Sequence, residues 1–228
     1  MNKKVKPVNY LIYLSILLIS IFSIYLSKRV MGKSGLTILL ITSSILSLIL
    51  SFKYILLSTI TVNANSVTFI TMYTSLYLLL ESTNKEEVKK IVNMNFIITS
   101  FTAIVLYMMS YHVQSLTDTV SINMKNVFIN NYRILIVYPI TTLLSNYLLI
   151  WMYKTIRKLY DIPFITTVTT YLMIGLIEGI LYFFATYYNI LDIKIIIKLL
   201  LSSYMIRLII TIIYSIFLNL LTSKKVKK

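Results

Sequence analysis

The chain contains no cysteine and a single histidine, His112, and it is poor in proline, glycine and acidic residues. Without cysteine it can form no disulfide, offer no thiolate to a metal and use no thiol as a nucleophile. One histidine cannot share a metal with a second histidine, so we expect no metal site and no cofactor. These absences argue against the thiol enzymes and the metalloenzymes.

Hydrophobic residues dominate instead: they make up 58% of the 228 residues, and the mean hydropathy is +0.83. Apolar stretches along the whole chain are typical of an integral membrane protein. Seven segments are near or above the roughly 20 residues needed to cross a bilayer, at about 8–27, 35–57, 64–81, 90–112, 131–153, 163–189 and 193–221. We therefore predict an all-α, polytopic membrane helix bundle with about six or seven transmembrane helices.

The first segment follows a short basic stretch, as a signal peptide would, but its apolar run is long. No small-residue cleavage pattern stands before Lys28, so we expect a retained helix. Residues 1–34 are then an N-terminal helix with a basic loop. Residues 35–228 are predicted to form the transporter helical bundle, a single membrane domain.

The 22 basic residues against 7 acidic ones give a net charge of +15, and their positions predict the topology. Thirteen flank the helices on one predicted side and seven on the other, which places the C-terminus in the cytoplasm and the N-terminus outside. They form no long arm or basic domain, so we expect a lipid bilayer as partner and no nucleic acid. The abundance of Leu, Ile, Tyr, Lys and Asn is typical of AT-rich bacterial genomes, and we predict a bacterial cell membrane.

The longest connection, residues 113–130, is polar and contains Asp118, Asn123, Lys125 and Asn126. We interpret it as an external loop, with lid-like closure as an alternative. No other stretch is long enough for a soluble domain. Any chemistry must therefore lie between the helices.

Glu178 lies in the middle of the apolar run 169–185 and is the only acid so placed. Arg207 lies at a similar depth on the next predicted helix, because each residue is about 14 or 15 positions from its helix entry. Charges at membrane depth usually face a partner, a cavity or a substrate. We expect Glu178 and Arg207 to pair, either as a structural clamp or as part of a transport site; a carboxyl group kept protonated is a third interpretation.

Three further residues interrupt the apolar helices. Lys53 is predicted near the outer end of the second helix, where its amine either reaches the interface or contacts a ligand. Asn146 falls in the middle of the fifth helix, where hydrogen bonding between helices and ligand contact explain it equally well. Pro139, in the same helix, removes a backbone donor and is compatible with a kink.

Aromatic residues form a stripe near Glu178. Such a stripe is more often lipid-facing or interfacial than a stacking platform, and we keep both interpretations. Its members are Tyr171, Tyr182, Phe183 and Phe184.

The stretch Phe69-Ile-Thr-Met-Tyr73, followed by Glu81-Ser-Thr-Asn-Lys-Glu-Glu-Val88, resembles the vitamin-uptake-like family of queuosine precursor transporters. That family shows a Phe-Pro-Leu-Thr-Tyr helix, then Asp and Glu four residues apart, then a Gly-Lys-Lys turn. Phe69, Tyr73, Glu81 and Lys85 match this pattern. Further short matches follow in order between about residues 35 and 221, at Leu50-Ser-Phe-Lys53, Asn131-Tyr-Arg133 and Ser203-Tyr-Met-Ile-Arg207, and Glu178 aligns with the acid of a Ser-Gln-Leu-Ile-Asp motif.

The chain also departs from the family pattern. Ile70 stands for its proline and Asn84 for its glycine, while two acids and a glutamine are replaced by Tyr77, Leu149 and Gly175. The resemblance implies a transporter that takes up a deazaguanine-type nucleobase, a queuosine precursor. The lost polar groups leave open whether this member has another specificity or no uptake activity.

The residues we predict to bind the small molecule are Glu178, Arg207, Asn146, Tyr171, Tyr182 and Lys53. A guanine-like edge offers two adjacent N–H donors that one carboxylate can accept together. Glu178 would then recognise the base, and Arg207 would either hold the carboxylate ionised or release it when the base binds. The other groups would hydrogen-bond to the rest of the polar edge or stack on the ring. Whether the protein forms a homo-oligomer stays open.

Two other classes compete with a transporter that works alone. An intramembrane peptidase would have to combine Glu86 and Glu87 with His112, which the predicted topology separates; we expect no enzyme and no catalytic residue. The chain lacks a P-loop, so any ATP-driven transport would need a separate ATPase. The alternative function is therefore the substrate-binding membrane subunit of an energy-coupling vitamin transporter.

Overall fold

The computed structural model describes residues 8–57, 60–112, 121–160 and 162–223. The helices are α1 (Val8–Leu26), α2 (Gly32–Leu50), α3 (Ser66–Ser82), α4 (Lys85–Met109), α5 (Ser121–Phe128), α6 (Tyr132–Leu159), α7 (Pro163–Tyr187) and α8 (Ile193–Ser223). A π-helical turn, Ser27–Met31, joins α1 to α2, and two short strands, β1 (Tyr54–Leu57) and β2 (Ile60–Asn63), lie between α2 and α3. The predicted all-α bundle is confirmed, with seven long helices among the described residues.

Five helical runs in the described ranges are long and apolar enough to cross a membrane: Val8–Leu50, Lys85–Met109, Tyr132–Leu159, Pro163–Tyr187 and Ile193–Leu221. The first of these runs contains both α1 and α2, which turn back on each other. The amide of Asn9, near the start of α1, donates to the carbonyl of Leu56, just beyond the end of α2, at 3.0 Å. A straight run from residue 9 to residue 50 would instead separate its ends by about 60 Å.

Two glycines permit this sharp reversal. Gly32 has φ of +57°, in the left-handed region that side chains disfavour. A Cβ at Gly35 would lie 2.6 Å from the carbonyl oxygen of Ser27 in the π-helical turn, so only glycine lets α2 pack so closely against this turn.

A β-hairpin enters the bundle between α2 and α3. Strand β1 pairs antiparallel with β2, from Tyr54 opposite Asn63 to Leu57 opposite Ile60. The backbone N–H of Asn63 donates to the hydroxyl of Ser203 at 3.4 Å, and Ser203 lies about 15 Å into α8. Non-helical backbone at membrane depth is tolerated only where protein or a water-filled cavity surrounds it, and Asn63 and Asn65 are both buried.

This hairpin corrects the predicted second helix, which was expected to reach residue 57. The helix ends at Leu50, and Lys53 is not helical but lies exposed beside β1. The predicted loop at 113–130 is also partly wrong, because Asn123, Lys125 and Asn126 belong to α5. Asp118 lies outside the described residues.

The remaining helix predictions agree with the structure to within several residues. Pro139 lies inside α6, which continues past it. Lys33, beside the turn between α1 and α2, forms an ion pair with Glu87 at the start of α4. The structure thus brings these two turns to one end of the bundle, as the topology predicted; which end is cytoplasmic remains a prediction.

The surface of the bundle is largely apolar, and its interior combines apolar side chains with many polar ones. Large side chains such as Ile97, Phe101 and Trp151 are about two-thirds exposed on its surface. Its buried polar residues line several helices and include Ser43, Ser44, Ser47, Thr71, Thr74, Thr141, Thr142, Thr167, Thr170, Thr211 and Ser215. An apolar surface of this extent is the mark of a membrane-embedded protein.

Helix α3 occupies the centre of this arrangement. Every residue from Ser66 to Leu79 is buried, and α3 packs against α2, α8, α1, α6 and α4. The other helices surround it, so its side chains and those facing it form the interior of the bundle.

Candidate functional site

Glu178 and Arg207 meet inside the bundle, on the antiparallel helices α7 and α8. Nη1 of Arg207 donates to Oε2 of Glu178, and the two side chains form an ion pair. The two residues are only 1% and 4% exposed. The pair predicted from their matched depth is therefore present.

The guanidinium group of Arg207 has a second neighbour on α3. Its central carbon lies 4.2 Å from the centroid of the Phe69 ring, a cation–π contact that gains strength where water is excluded. Nε of Arg207 is buried and donates no hydrogen bond within the described part of the chain. The arginine thus keeps a donor available.

Three tyrosines lie within the electrostatic range of both charges. They are Tyr73 on α3, Tyr138 on α6 and Tyr182 on α7. Each is at most 1% exposed, and none of their hydroxyls makes a hydrogen bond of ordinary geometry to a described residue. A phenol can both donate and accept, so these groups are able to bind either kind of polar atom.

Open space lies next to Glu178. Gly175 lies one turn before Glu178 on α7 and Gly179 directly follows it, and both glycines are buried. A Cβ added at either glycine would meet no neighbouring atom within 4 Å. The helix beside the buried carboxylate therefore has room for at least a methyl group at each glycine.

No family model, curated protein or solved structure matches the chain. The resemblance to the queuosine precursor transporters therefore remains an expectation.

The predicted stripe near Glu178 turns inwards rather than towards lipid. Tyr171, Tyr182 and Phe183 are each 1% exposed, so the lipid-facing interpretation is wrong for them, while Phe184 is partly buried. The Tyr182 ring lies 6.5 Å from that of Tyr138, between centroids. These aromatic groups line the interior.

Tyr171 and Asn146 are also buried inside the bundle. The Tyr171 centroid is 5.8 Å from that of Tyr73, which connects α7 to α3. Asn146 is fully buried on the face of α6 that carries Tyr138, about two turns further along, and neither its amide oxygen nor its nitrogen has a hydrogen-bond partner in the described structure. A buried amide with no partner is rare in a packed core.

Lys53 stands apart from these groups. It lines a separate small cavity of about 110 Å³ with Asn9, Tyr13 and Ala64, and its side chain is exposed. Among the described residues Lys53 makes no contact with the Glu178–Arg207 pair, and its place in the same site stays a prediction.

Sequence reasoning missed two residues of the site. Tyr73 entered only as a match to a family motif, and Tyr138 was not among the predicted residues. The spacing of Tyr138, Thr142 and Asn146 at intervals of four gives one face of α6, and this signal was available.

The described residues also bear on the peptidase alternative. Glu86 and Glu87 lie at the start of α4 and His112 just beyond its end, so about 35 Å of helix separates them. No group of three His, Asp or Glu side chains that could hold a metal is found within the described ranges. The three residues named for that chemistry are therefore not assembled into a site.

Proposed function

We propose that this chain is a membrane transporter that takes up a small polar molecule through the site around Glu178 and Arg207. The observation that carries the proposal is a buried ion pair with open space beside it and nearby buried polar groups that make no hydrogen bond of ordinary geometry to the described residues. A buried pair alone would serve as well for a structural clamp. The vacant space and the unpaired lining favour a binding site.

The energetics support a binding site. A buried polar group without a hydrogen bond costs about 1–3 kcal/mol. The hydroxyls of Tyr73, Tyr138 and Tyr182, the amide of Asn146 and Nε of Arg207 would together cost several kcal/mol if nothing ever bound them. Water or a polar substrate in the space beside Gly175 and Gly179 removes that cost.

The substrate we propose is a deazaguanine-type nucleobase, a queuosine precursor. Its two adjacent N–H donors match the two oxygens of a carboxylate, which can accept both while Arg207 balances its charge. The planar ring fits a site walled by Phe69 and tyrosine rings, which favour offset or edge-on ring contacts. The three phenols and the Asn146 amide are available to form hydrogen bonds with the other polar groups of the base.

We place the protein in the bacterial cell membrane with its C-terminus in the cytoplasm. The basic residues support this orientation, since Lys33 and the start of α4 lie at the same end of the bundle. Uptake then runs from the hairpin end of the bundle towards that basic end. Since the chain has no P-loop, transport is facilitated or ion-coupled unless a separate ATPase drives it.

The test is uptake by cells that cannot make deazaguanine precursors, with queuosine in transfer RNA as the readout. We expect the wild-type chain to restore queuosine and the Glu178→Gln variant to fail. Glu87→Gln is the matched control, because it removes the same charge from an exposed ion pair and is expected to keep activity.

Wild-type uptake by a well-expressed Glu178→Gln protein would refute the role of this carboxylate. No uptake by a correctly inserted wild-type chain would refute the substrate. Recovery of an ATPase with the purified protein would support the alternative of a substrate-binding subunit in an energy-coupling transporter.

A further inference from the structure

A column of aromatic rings leads from the ion pair to one end of the bundle. From Phe69, which contacts Arg207, the ring centroids are 4.5 Å apart to Tyr73 and 5.8 Å from there to Tyr171. The next steps are 6.4 Å from Tyr171 to Tyr77 and 5.3 Å from Tyr77 to Tyr153. Residues of α3, α6 and α7 build this column, and we refer to Tyr73, Tyr171, Tyr77 and Tyr153 as the tyrosine column.

The column ends at the surface formed by the turn between α1 and α2 and by the start of α4. Tyr153 is only partly buried, and its hydroxyl donates to Oε1 of Glu81 at 2.7 Å. Glu81 is exposed at the end of α3, a few residues before the start of α4 where Glu87 pairs with Lys33. One end of the column thus lies at the Glu178–Arg207 pair, and the other end is exposed to solvent.

The hydroxyl groups distinguish this column from ordinary aromatic packing. Tyr73, Tyr77 and Tyr171 are each at most 1% exposed, and their three hydroxyls make no hydrogen bond of ordinary geometry to any described residue. Phenylalanine would pack as well and would bury no polar atom. The hydroxyls of Ser145, Thr167 and Thr74 lie near them but outside ordinary hydrogen-bond geometry. Three adjacent phenols with only loose polar neighbours therefore point to a polar species that visits them.

We propose that the tyrosine column is the inner half of the translocation path and holds a second binding site for a planar ring molecule with polar edges, at Tyr73, Tyr77 and Tyr171. The substrate leaves Glu178, stacks along these rings and is released where Tyr153 parts from Glu81. This inference rests on the proposed transport function and extends it from the central site to the release route. The structure has the path closed, because the three inner tyrosines are buried.

The absence of cysteine permits a direct test that does not require the substrate to be known. Single cysteines are placed at Tyr77, Tyr171 and Thr74, which lies beside Tyr171 and is a conservative site. A membrane-impermeant, positively charged thiol reagent is then added to intact cells and to inverted membrane vesicles.

The matched controls come from the same helices and the same end. The first control is Leu78→Cys. Leu78 is buried like Tyr77 and lies at the same depth, but its side chain points about 100° away around the axis of α3. Lys33→Cys is exposed at the same end of the bundle and reports the face reached by the reagent.

If the column opens, the cysteines at Tyr77, Tyr171 and Thr74 react at least tenfold faster than Leu78→Cys, and they do so from the face that labels Lys33→Cys. Reaction of all three as slowly as Leu78→Cys would overturn the proposal. Because the readout is labelling, the result decides on the column whether or not the deazaguanine substrate is correct.

A second measurement isolates the hydroxyls. Tyr77→Phe and Tyr171→Phe keep the rings and remove only an unpaired polar atom, so we expect an unchanged or higher unfolding temperature. Uptake of the deazaguanine base should nevertheless fall about three- to tenfold for each lost hydroxyl, the range of one hydrogen bond. Full uptake by both variants in cells where the wild type is active would refute the second site.

Discussion

The guanidinium carbon of Arg207 lies 4.2 Å from the centroid of Phe69, although Arg207 is about 21 Å into α8 and Phe69 is less than 5 Å into α3. Helix α3 therefore begins at about the depth of the ion pair, well inside the bundle. The β-hairpin before it fills the remaining distance. The N-terminal end of α3 and the Glu178–Arg207 pair thus belong to one region of the molecule.

The ion pair predicts separable effects on stability and on transport. Arg207→Met alone leaves a buried carboxylate without its partner, and we expect a loss of about 3–5 kcal/mol. The double variant Glu178→Met with Arg207→Met should recover most of that loss, because neither charge remains. We expect no uptake from either variant.

Thermal unfolding in detergent, together with the queuosine assay, distinguishes these outcomes. Lys33→Met is the comparison, since an exposed pair contributes less than about 1 kcal/mol. A stable double variant that still transported would show that the pair is only a structural clamp.

The space beside Glu178 predicts a graded loss of uptake. Gly175→Ala adds one methyl group that meets nothing within 4 Å, and it should be neutral or stabilising by up to about 1 kcal/mol, given the helix preference of alanine. Gly175→Leu fills the space and should block uptake while the protein still folds. Leu176→Val, on the exposed face of the same helix, is the control; equal uptake by Gly175→Leu and Leu176→Val would contradict a substrate in this space.

The turn between α1 and α2 predicts the opposite result for another glycine. Gly35→Ala places a methyl group 2.6 Å from the carbonyl oxygen of Ser27, so α2 must move away from the π-helical turn. We expect a loss of about 1–3 kcal/mol, measured by thermal unfolding next to Gly175→Ala. If both alanine variants were equally stable, the close approach of α2 to the π-helical turn would be wrong.

The buried hairpin depends on the side chain of Asn63. Its amide nitrogen donates to the carbonyl of Ser51 at 3.0 Å, and its amide oxygen accepts from the backbone N–H of Asn65 at 3.0 Å. Asn63→Ala leaves both partners unsatisfied and should cost about 2–4 kcal/mol. Thr61→Ala, on the same strand, should lower the free energy of unfolding by less than about 1 kcal/mol. A similar loss for both variants would show that the Asn63 side chain does not stabilise the hairpin.

Depth along a helix was predictable from the sequence, and the orientation of side chains around it was not. Counting from the helix ends placed Glu178 and Arg207 at one level, and the ion pair is there. Counting cannot distinguish a tyrosine that faces lipid from one that faces the interior, since both surroundings accept an aromatic ring. The sequence therefore left both interpretations of Tyr171 and Tyr182 open, and their burial in the structure decides for the interior.

The hairpin was missed for a related reason. The stretch after Leu50 stays apolar, and a short apolar run of this kind does not separate strand from helix by its periodicity. The β-branched and aromatic residues of Tyr54–Leu57 and Ile60–Asn63, with Asn63 and Asn65 behind them, were the available signal. Extending the helix across them placed Lys53 inside the membrane instead of beside a strand.

The complete enclosure of α3 has a consequence for how the protein is made. Residues Ser66 to Leu79 have almost no surface left for lipid, and two of their contacts, Thr71 with Tyr214 and Tyr73 with Tyr171, are made by helices far later in the chain. The ribosome delivers α3 to the membrane well before α7 and α8 are synthesised. Until then, the serines and threonines of α3 lack the neighbours that surround them in the folded protein. Assembly of the interior is completed only when the last helix is inserted, and a nascent chain truncated before α8 would hold α3 without its final neighbours.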